Sequence, residues 1–331
     1  MDPGLVDWMR RARRLIPKDD LRVLLSPPRL VARFARFSLH RHARRPPPDP
    51  DEDVTRRDPE LCELMMDLTR LLGRVYFRVR FEGIENLPAS GPALLVGNHN
   101  GGLLPMDAFF TALAIHDRFG KERAMYALVH DFVLDDPLLI RYAARLGMLR
   151  AGHGSAHAAF SRGHLVLVYP GSDLETFRTF RDRGKVVLGG RKGFLKLALR
   201  EQVPIVPVVS AGTHEQFVVL ARGDRLARLV HAHAWARTEV LPIVLAMPWG
   251  VTAGFVPYLP LPAQTTIAFG APLRFSELGP DDADRPEALA RCYADVEGAM
   301  QSMLTRLSED RRFLLGRRDR NLPRDVRPPR R

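Results

Sequence analysis

The chain has 331 residues, enough for one large domain with appendages, and 46% of them are hydrophobic, an ordinary share for a globular protein. Its 2 cysteines, Cys62 and Cys292, lie far apart in no metal-like spacing, which argues against a disulfide framework and a zinc site; no apolar run reaches the length of a spanning helix, and the N-terminus lacks the apolar core of a signal peptide. The net charge of +12 sits at the ends: residues 1–46 carry twelve Lys/Arg against four Asp, residues 311–331 carry nine Arg against two Asp, and the middle is slightly acidic. That distribution disfavours a core built around a nucleic-acid duplex, so no specific nucleic-acid partner is expected, and it suits basic arms that touch an anionic surface.

In the N-terminal arm, Leu30, Phe34 and Phe37 recur at helical spacing among Arg29, Arg33 and Arg36, the pattern of a basic amphipathic helix. Together with Trp8, Met9, Leu15 and Ile16, this helical arm (residues 1–46) either lies in a membrane interface or packs on its own domain with a solvated basic face. Amphipathicity serves both. The stretch Arg44 to Asp53, dense in proline and aspartate, reads as extended, and a linker over residues 47–60 makes the arm separable.

From Leu61 to about Val75 the apolar residues recur at three and four, predicting a helix, and Tyr76 to Glu82 alternates like a strand. Strands are expected near 93–97, 125–129, 165–169 and 204–209, with helical segments near 105–118, 137–146, 154–162 and 190–201 between them. This order predicts an α/β domain over residues 61–310, a mostly parallel sheet covered by helices. Ligands bind beyond the carboxyl ends of such strands.

The first of those ends carries Val96-Gly97-Asn98-His99-Asn100-Gly101-Gly102-Leu103-Leu104-Pro105-Met106-Asp107. The glycines allow a looped backbone and Pro105 suits a helix start, so His99 and Asp107 would face each other across the loop. A carboxylate on one imidazole nitrogen fixes the tautomer and leaves the other nitrogen to take a proton from a hydroxyl. By spacing alone, a His near a Gly-Gly turn is more often a structural loop residue than a base. After the strand at 165–169, Pro170 and Gly171 let a ligand approach the backbone, while Ser172, Asp173 and Glu175 offer polar groups; Ser172 lacks the flanking glycines of a nucleophile elbow. The stretch Gly189-Gly190-Arg191-Lys192-Gly193 opens the next helix with two cations that can hold an anion, without Walker or dinucleotide spacing. Residues 240–262 are apolar but interrupted by Pro242, Pro248, Pro257, Pro260 and Pro262, giving a short strand and then a loop that either dips into lipid or covers the core. Thr265 to Phe269 alternates as a strand, Pro286 to about Leu307 reads as a helix, and an Arg-rich flexible tail is expected over residues 311–331.

Taken in order, these segments resemble the blocks of the PlsC-type glycerolipid acyltransferases over about residues 75–275. Asn98-His99 with Asp107 matches the first block, Arg145 to Arg150 the second, Tyr169-Pro170-Gly171-Ser172-Asp173 the third, and Val203 to Val208 the fourth. The resemblance implies a glycerol-3-phosphate acyltransferase-like fold. It implies acyl transfer from an acyl thioester, acyl-CoA or acyl-carrier protein as co-substrate, to a hydroxyl of a lipid acceptor. His99 would be the base and Asp107 its orienting partner, with no cofactor and no metal. Peripheral, monotopic attachment to the cytoplasmic face of a membrane through the basic N- and C-terminal segments follows from the same reading, with Asn98, Pro170 and Ser172 near the substrate and backbone donors at Gly101-Gly102 or Gly171 for the oxyanion.

Two departures stand out. Seven residues separate His99 from Asp107 where the family usually has four, a lengthening like that of a glycine-rich subgroup. In the third block, usually Phe-Pro-Glu-Gly-Thr-Arg, Gly171 replaces Glu and Leu174 stands at the phosphate-binding Arg position. This form resembles transmembrane-protein-68-like and type-two diacylglycerol acyltransferases, which esterify neutral lipid alcohols, with Glu175 as the corresponding Glu. Arg150, Arg178, Arg191 or Lys192 would then supply a cation for a phosphate. The alternative is a non-catalytic lipid-binding protein on the same fold, its loop insertion having drawn Asp107 away from His99.

Overall fold

The structure is a computed structural model, and it describes residues 3–24, 50–100, 102, 104–130, 134, 139–231, 240–254 and 258–317. In chain order its strands are β1 (Arg80–Glu82), β2 (Ala93–Gly97), β3 (Met125–Val129), β4 (Met148–Arg150), β5 (Leu165–Val168) and β6 (Ile205–Ala211). They continue with β7 (Val218–Ala221), β8 (Ile243–Ala246), β9 (Gly250–Ala253), β10 (Thr266–Phe269), β11 (Arg311–Arg312) and β12 (Gly316–Arg317).

Seven of these strands form one sheet in the order β1-β10-β6-β2-β5-β3-β4. The five from β6 to β4 run parallel, and β10 joins β6 antiparallel. The fold is therefore the expected α/β type with a mostly parallel sheet, and β2 lies at its centre. Both faces of β2 are apolar because both are covered. Leu94 and Val96 pack with Leu195, Leu199 and Val296, whereas Ala93 and Leu95 pack with Phe77, Phe110 and Ile115 on the other side. Each fully buried Leu contributes about 1.5–3 kcal/mol relative to an exposed one, which is why these strands read as unbroken apolar runs.

The helices fall where the spacing put them: Met106–Phe119, Leu139–Ala143 with a 3-10 turn through Leu146, His153–Phe160, Gly193–Glu201 and Pro286–Ser308. Helix Pro59–Val75 starts at Asp58, whose carboxylate accepts from the N–H groups of Glu60 and Leu61, with Pro59 in the first turn.

Three expectations are corrected, and of the two readings open for the arm its described part meets the packed one. Only Arg80–Glu82 of the 76–82 stretch is strand. The amides of Phe77 and Val79 turn back to Leu72 O and Gly73 O, and Arg78 takes a positive φ of 45°, so the chain cannot extend earlier. In the 47–60 linker, Pro50–Thr55 is helical and Val54 is buried in the main core. In the arm, helix Pro3–Leu15 packs on Pro59–Val75: Trp8 donates to Leu64 O, Arg11 pairs with Asp67 at 2.7 Å, and Ala12 is buried against Leu61 and Leu64. Leu30, Phe34 and Phe37 lie outside the described residues. In the 311–331 tail, β11 and β12 form a hairpin pinned by the buried Arg311–Glu215 pair at 2.6 Å.

The proline-rich region resolves into β8 and β9, which join β7 in a separate three-stranded antiparallel sheet packed around Phe177, Phe217 and Val240. Among the described residues no helix is long and apolar enough to cross a membrane.

Candidate active site

Because β5, β2 and β6 are parallel neighbours, their carboxyl ends emerge together about 4.8 Å apart, and the segments after Gly97, Val168 and Ala211 meet there. Asn98 locks the end of β2 to β6: its Oδ1 accepts from Ser210 N at 2.7 Å and its Nδ2 donates to Ser210 O at 3.1 Å. Asn100 adds a bond from Nδ2 to Ser210 Oγ at 2.7 Å. His99, between them, has its backbone held from the β5 side. Its N–H donates to Glu175 Oε2 at 2.8 Å and its carbonyl accepts from Arg178 Nη1 at 3.4 Å. The imidazole stacks on Tyr169 with ring centroids 4.6 Å apart.

Asp107 sits in the first turn of helix Met106–Phe119. Its Oδ2 accepts from Asn100 N at 2.8 Å and lies 3.1 Å from His99 Nδ1, while Oδ1 accepts from Ala108 N at 2.9 Å. A carboxylate can only accept, so Nδ1 carries the proton and Nε2 is left as the accepting nitrogen. The His99 side chain keeps 20% exposure against 2% for Asp107, so the ring is reachable while its partner is sealed. Burial pulls the His99 pKa down, but the charge and hydrogen bond of Asp107, with Glu175 adding to them, outweigh burial and raise it.

The lengthened loop closes because Gly102 takes φ +76° in tight contact with Phe217 and Tyr258; a Cβ there would come within 2.7 Å of the Phe217 ring. The Tyr258 hydroxyl accepts from Leu104 N at 3.1 Å. Gly101 lies outside the described residues.

The departure at Gly171 has a steric cause. A Cβ at this position would collide with Val187 O and with the Glu175 carboxylate, so glycine makes room for Glu175 to fold back toward His99. Glu175 is fully buried, with Oε1 accepting from Val187 N at 2.9 Å as Oε2 accepts from His99 N. Burial pushes it up to about 7, against the charge of Arg178 and the two backbone bonds.

Asn98, Glu175 and Arg178, expected among the substrate contacts, are instead buried and occupied by internal bonds. Arg178 donates to the carbonyls of Glu175, His99, Asp182 and Arg183, which makes it a clamp on the two loops rather than a free phosphate ligand. Arg191 holds Pro170 O and Gly171 O, each at 3.1 Å, and pairs with Asp173. Lys192, at the start of helix Gly193–Glu201, is the cation of this segment left to meet an anion. Arg150 ends the edge strand β4, three strand spacings or roughly 14 Å from β2. Ser172 begins the short helix Ser172–Thr176 with its backbone at φ 46°.

Tyr169, Asn100, Ser210 and His214 were not singled out in the sequence. Ser210, a lone hydroxyl near the end of the apolar β6, carried a signal; Tyr169 stood in the third block without a role of its own. His214 is buried, its pKa lowered to about 3 first by burial and then by Arg178, and its Nε2 bonds Arg178 O at 3.0 Å. It borders a cleft with Arg181, Arg183, Gly212 and Phe313 beyond the end of β6. Among the described residues no cluster of His, Cys, Asp or Glu has the makings of a metal site.

Fold and site together define an α/β protein with a carboxylate-oriented histidine at the carboxyl end of the central strand. The family model described as Acyltransferase matches residues 78–211, which contain His99, Asp107, Glu175, Arg178 and Ser210. An uncharacterized protein of Mycobacterium tuberculosis (strain ATCC 25618 / H37Rv) is 33% identical over 249 residues, 75% of this chain and 67% of the relative. The chain belongs to the PlsC-type acyltransferase family. It is also similar to the bovine (Bos taurus) DGAT1/2-independent enzyme synthesizing storage lipids, 29% identical over 162 residues, covering 47% of this chain and 45% of that one. This chain thus spans less than half of that enzyme's length. Among solved structures, the 1-acyl-sn-glycerophosphate (LPA) acyltransferase PlsC from Thermotoga maritima aligns over 75% of this chain and 82% of its own, with 19% identity and a TM-score of 0.47.

Proposed function

We propose that the chain transfers a fatty acyl group from an acyl thioester, on CoA or a carrier protein, to a hydroxyl of a glycerolipid or related lipid at a membrane surface. The observation that carries this reading is the 3.1 Å contact between His99 Nδ1 and Asp107 Oδ2, with the carboxylate held by two backbone N–H groups and the ring still open to solvent. Nε2 takes the proton of the acceptor hydroxyl as its oxygen attacks the thioester carbonyl carbon. The tetrahedral oxyanion, facing backbone N–H groups near Gly102 or Gly171, collapses with cleavage of the C–S bond. The leaving thiolate then takes the proton back from the imidazolium, which Asp107 has stabilised meanwhile. No covalent enzyme intermediate is needed.

A storage-lipid relative and the replacement of the family's third-block Arg by Leu174 favour a neutral lipid alcohol as acceptor. Lys192 is the side chain best available for a phosphate of the donor. The short His99–Asp107 distance speaks against the rival of a non-catalytic lipid-binding protein, which required the two to be apart. The deciding assay supplies acyl-CoA or an acyl-carrier thioester with a panel of diacyl and lyso lipids, following thiol release and acylated product. His99→Ala should abolish both; unchanged turnover in that variant would sink the assignment.

A further inference from the structure

In the small sheet β7-β8-β9 one face is buried and the other is exposed over β8 and β9, Val218 of β7 being covered. Val219, Val244 and Ala246 point inward, while the cross-strand partners Leu245 and Val251 point outward, Val251 at 66% exposure. At the turn between β8 and β9, Met247 and Trp249 are exposed, Trp249 at 53%, and exposed Leu259 bonds Met247 O through its backbone N–H. An indole and a thioether at a hairpin tip, with a bare aliphatic face behind them, is an arrangement that water does not favour.

The patch runs on to the candidate active site. Tyr258 precedes Leu259 and its hydroxyl accepts from Leu104 N, and Leu104 is itself exposed in the loop between His99 and Asp107. Charge favours one occupant. Helix Asp224–Leu229, which follows β7, exposes Arg225 and Arg228 beside exposed Leu229 and Val230. Asp224 is the one acid among the described residues of 218–231, 240–254 and 258–261, and Arg222 pairs with it at 3.3 Å. Apolar anchors with an indole at the tip, and exposed arginines on the helix that leaves the far end of β7 next to Leu241, match the interfacial region of an anionic bilayer.

We infer that the outer face of the β7-β8-β9 sheet docks on an anionic lipid bilayer. Met247, Trp249 and Val251 enter the boundary between headgroups and acyl chains, and Arg225 and Arg228 lie on lipid phosphates. The mouth above His99 is thereby held against the membrane, where a lipid hydroxyl reaches Nε2 without its chains leaving the bilayer. This last purpose rests on the acyl-transfer reading; the docking itself does not.

The test is sedimentation of the full chain with phosphatidylcholine vesicles, with and without phosphatidylglycerol. Leu245→Ser/Trp249→Ser/Val251→Ser should weaken binding at least about tenfold, and Arg225→Gln/Arg228→Gln should remove most of the preference for phosphatidylglycerol, about fivefold for each arginine. Circular dichroism melting checks that the variants remain folded. His99→Ala should bind vesicles like the unaltered chain, so failure of docking and failure of the catalytic reading are separable. Unchanged vesicle binding by the triple variant overturns the inference. So does a triple variant that turns a dimer into a monomer in sedimentation equilibrium while still binding vesicles, because the face then belongs to a second copy of this chain.

Discussion

Asp107 Oδ2 lies 3.1 Å from His99 Nδ1 although seven residues separate the two, and the same oxygen accepts from Asn100 N. The carboxylate is therefore positioned by the backbone just after the histidine as well as by its own helix. Within the lengthened loop Gly102 takes a positive φ against Phe217 and Tyr258, and the pair stays together.

Asp107→Asn should keep the size but turn an NH2 group toward one of the backbone N–H donors of Asn100 and Ala108, and lose the charge that raises the His99 pKa above its ordinary value. Turnover should fall by about 10²–10⁴-fold. The sign of the pH effect follows from the base role: activity in the unaltered chain rises with pH as His99 loses its proton, on an acid limb above the ordinary imidazole range. In the variant, desolvation acts unopposed by Asp107, so the residual activity should have its acid limb at lower pH. A pH–rate profile of thiol release checks this, and an unshifted limb would separate Asp107 from the titration of His99.

Glu175 accepts from two backbone N–H groups, that of His99, which links the loop after β5 to the base, and that of Val187. In Glu175→Gln one of those N–H donors faces an NH2 group, at a cost of about 1–3 kcal/mol. Burial raises the carboxyl from its ordinary 4.5 to about 7, so the folded chain holds this proton more tightly than the unfolded chain. That contribution is fully present below about pH 4.5 and is lost as pH rises to about 7, amounting to roughly 3 kcal/mol. Glutamine does not ionise, so the deficit of the variant should be smaller above pH 7 than below 4.5. Urea midpoints across that range measure it, and a deficit that grows with pH would contradict it.

How legible all this was depended on burial. The runs at 93–97, 165–169 and 204–209 gave their strands away because each is covered on both faces, and their parallel order put His99 and the 170–178 segment at one end of the sheet. The His99–Asp107 pair was visible as a candidate, but its closure depends on Asn100 N and on the packing of Gly102, which no spacing encodes. Arg178 and Glu175 looked like ligands because charged residues on a loop usually face solvent; here they fill the interior between two loops. The hairpin at Arg311 and the helix at Pro50 were hidden by composition, since single anchors, the Arg311–Glu215 pair and the buried Val54, organise segments otherwise rich in Arg, Pro and Asp.

Gly171→Ala tests the steric reading of the third block. Its added methyl meets Val187 O and the Glu175 carboxylate, so either the loop shifts or Glu175 leaves His99 N. Stability should drop by about 1–3 kcal/mol, with kcat falling more than KM changes, because the base is displaced while substrate contacts remain. Wild-type kinetics in this variant would mean that the glycine is incidental.

Arg311→Met separates a structural hairpin from a loose tail. Arg311 and Glu215 are both nearly sealed from solvent, and Glu215 Oε2 also accepts from Leu314 N at 2.6 Å. Removing the guanidinium leaves a buried carboxylate whose charge is no longer matched, which costs about 3–5 kcal/mol. If the segment were loose, the same change would leave the denaturation midpoint where it was. The double variant Arg311→Met/Glu215→Gln should recover a large part of the loss, because it removes both buried charges, and urea denaturation of the unaltered chain, both single variants and the double variant gives the coupling.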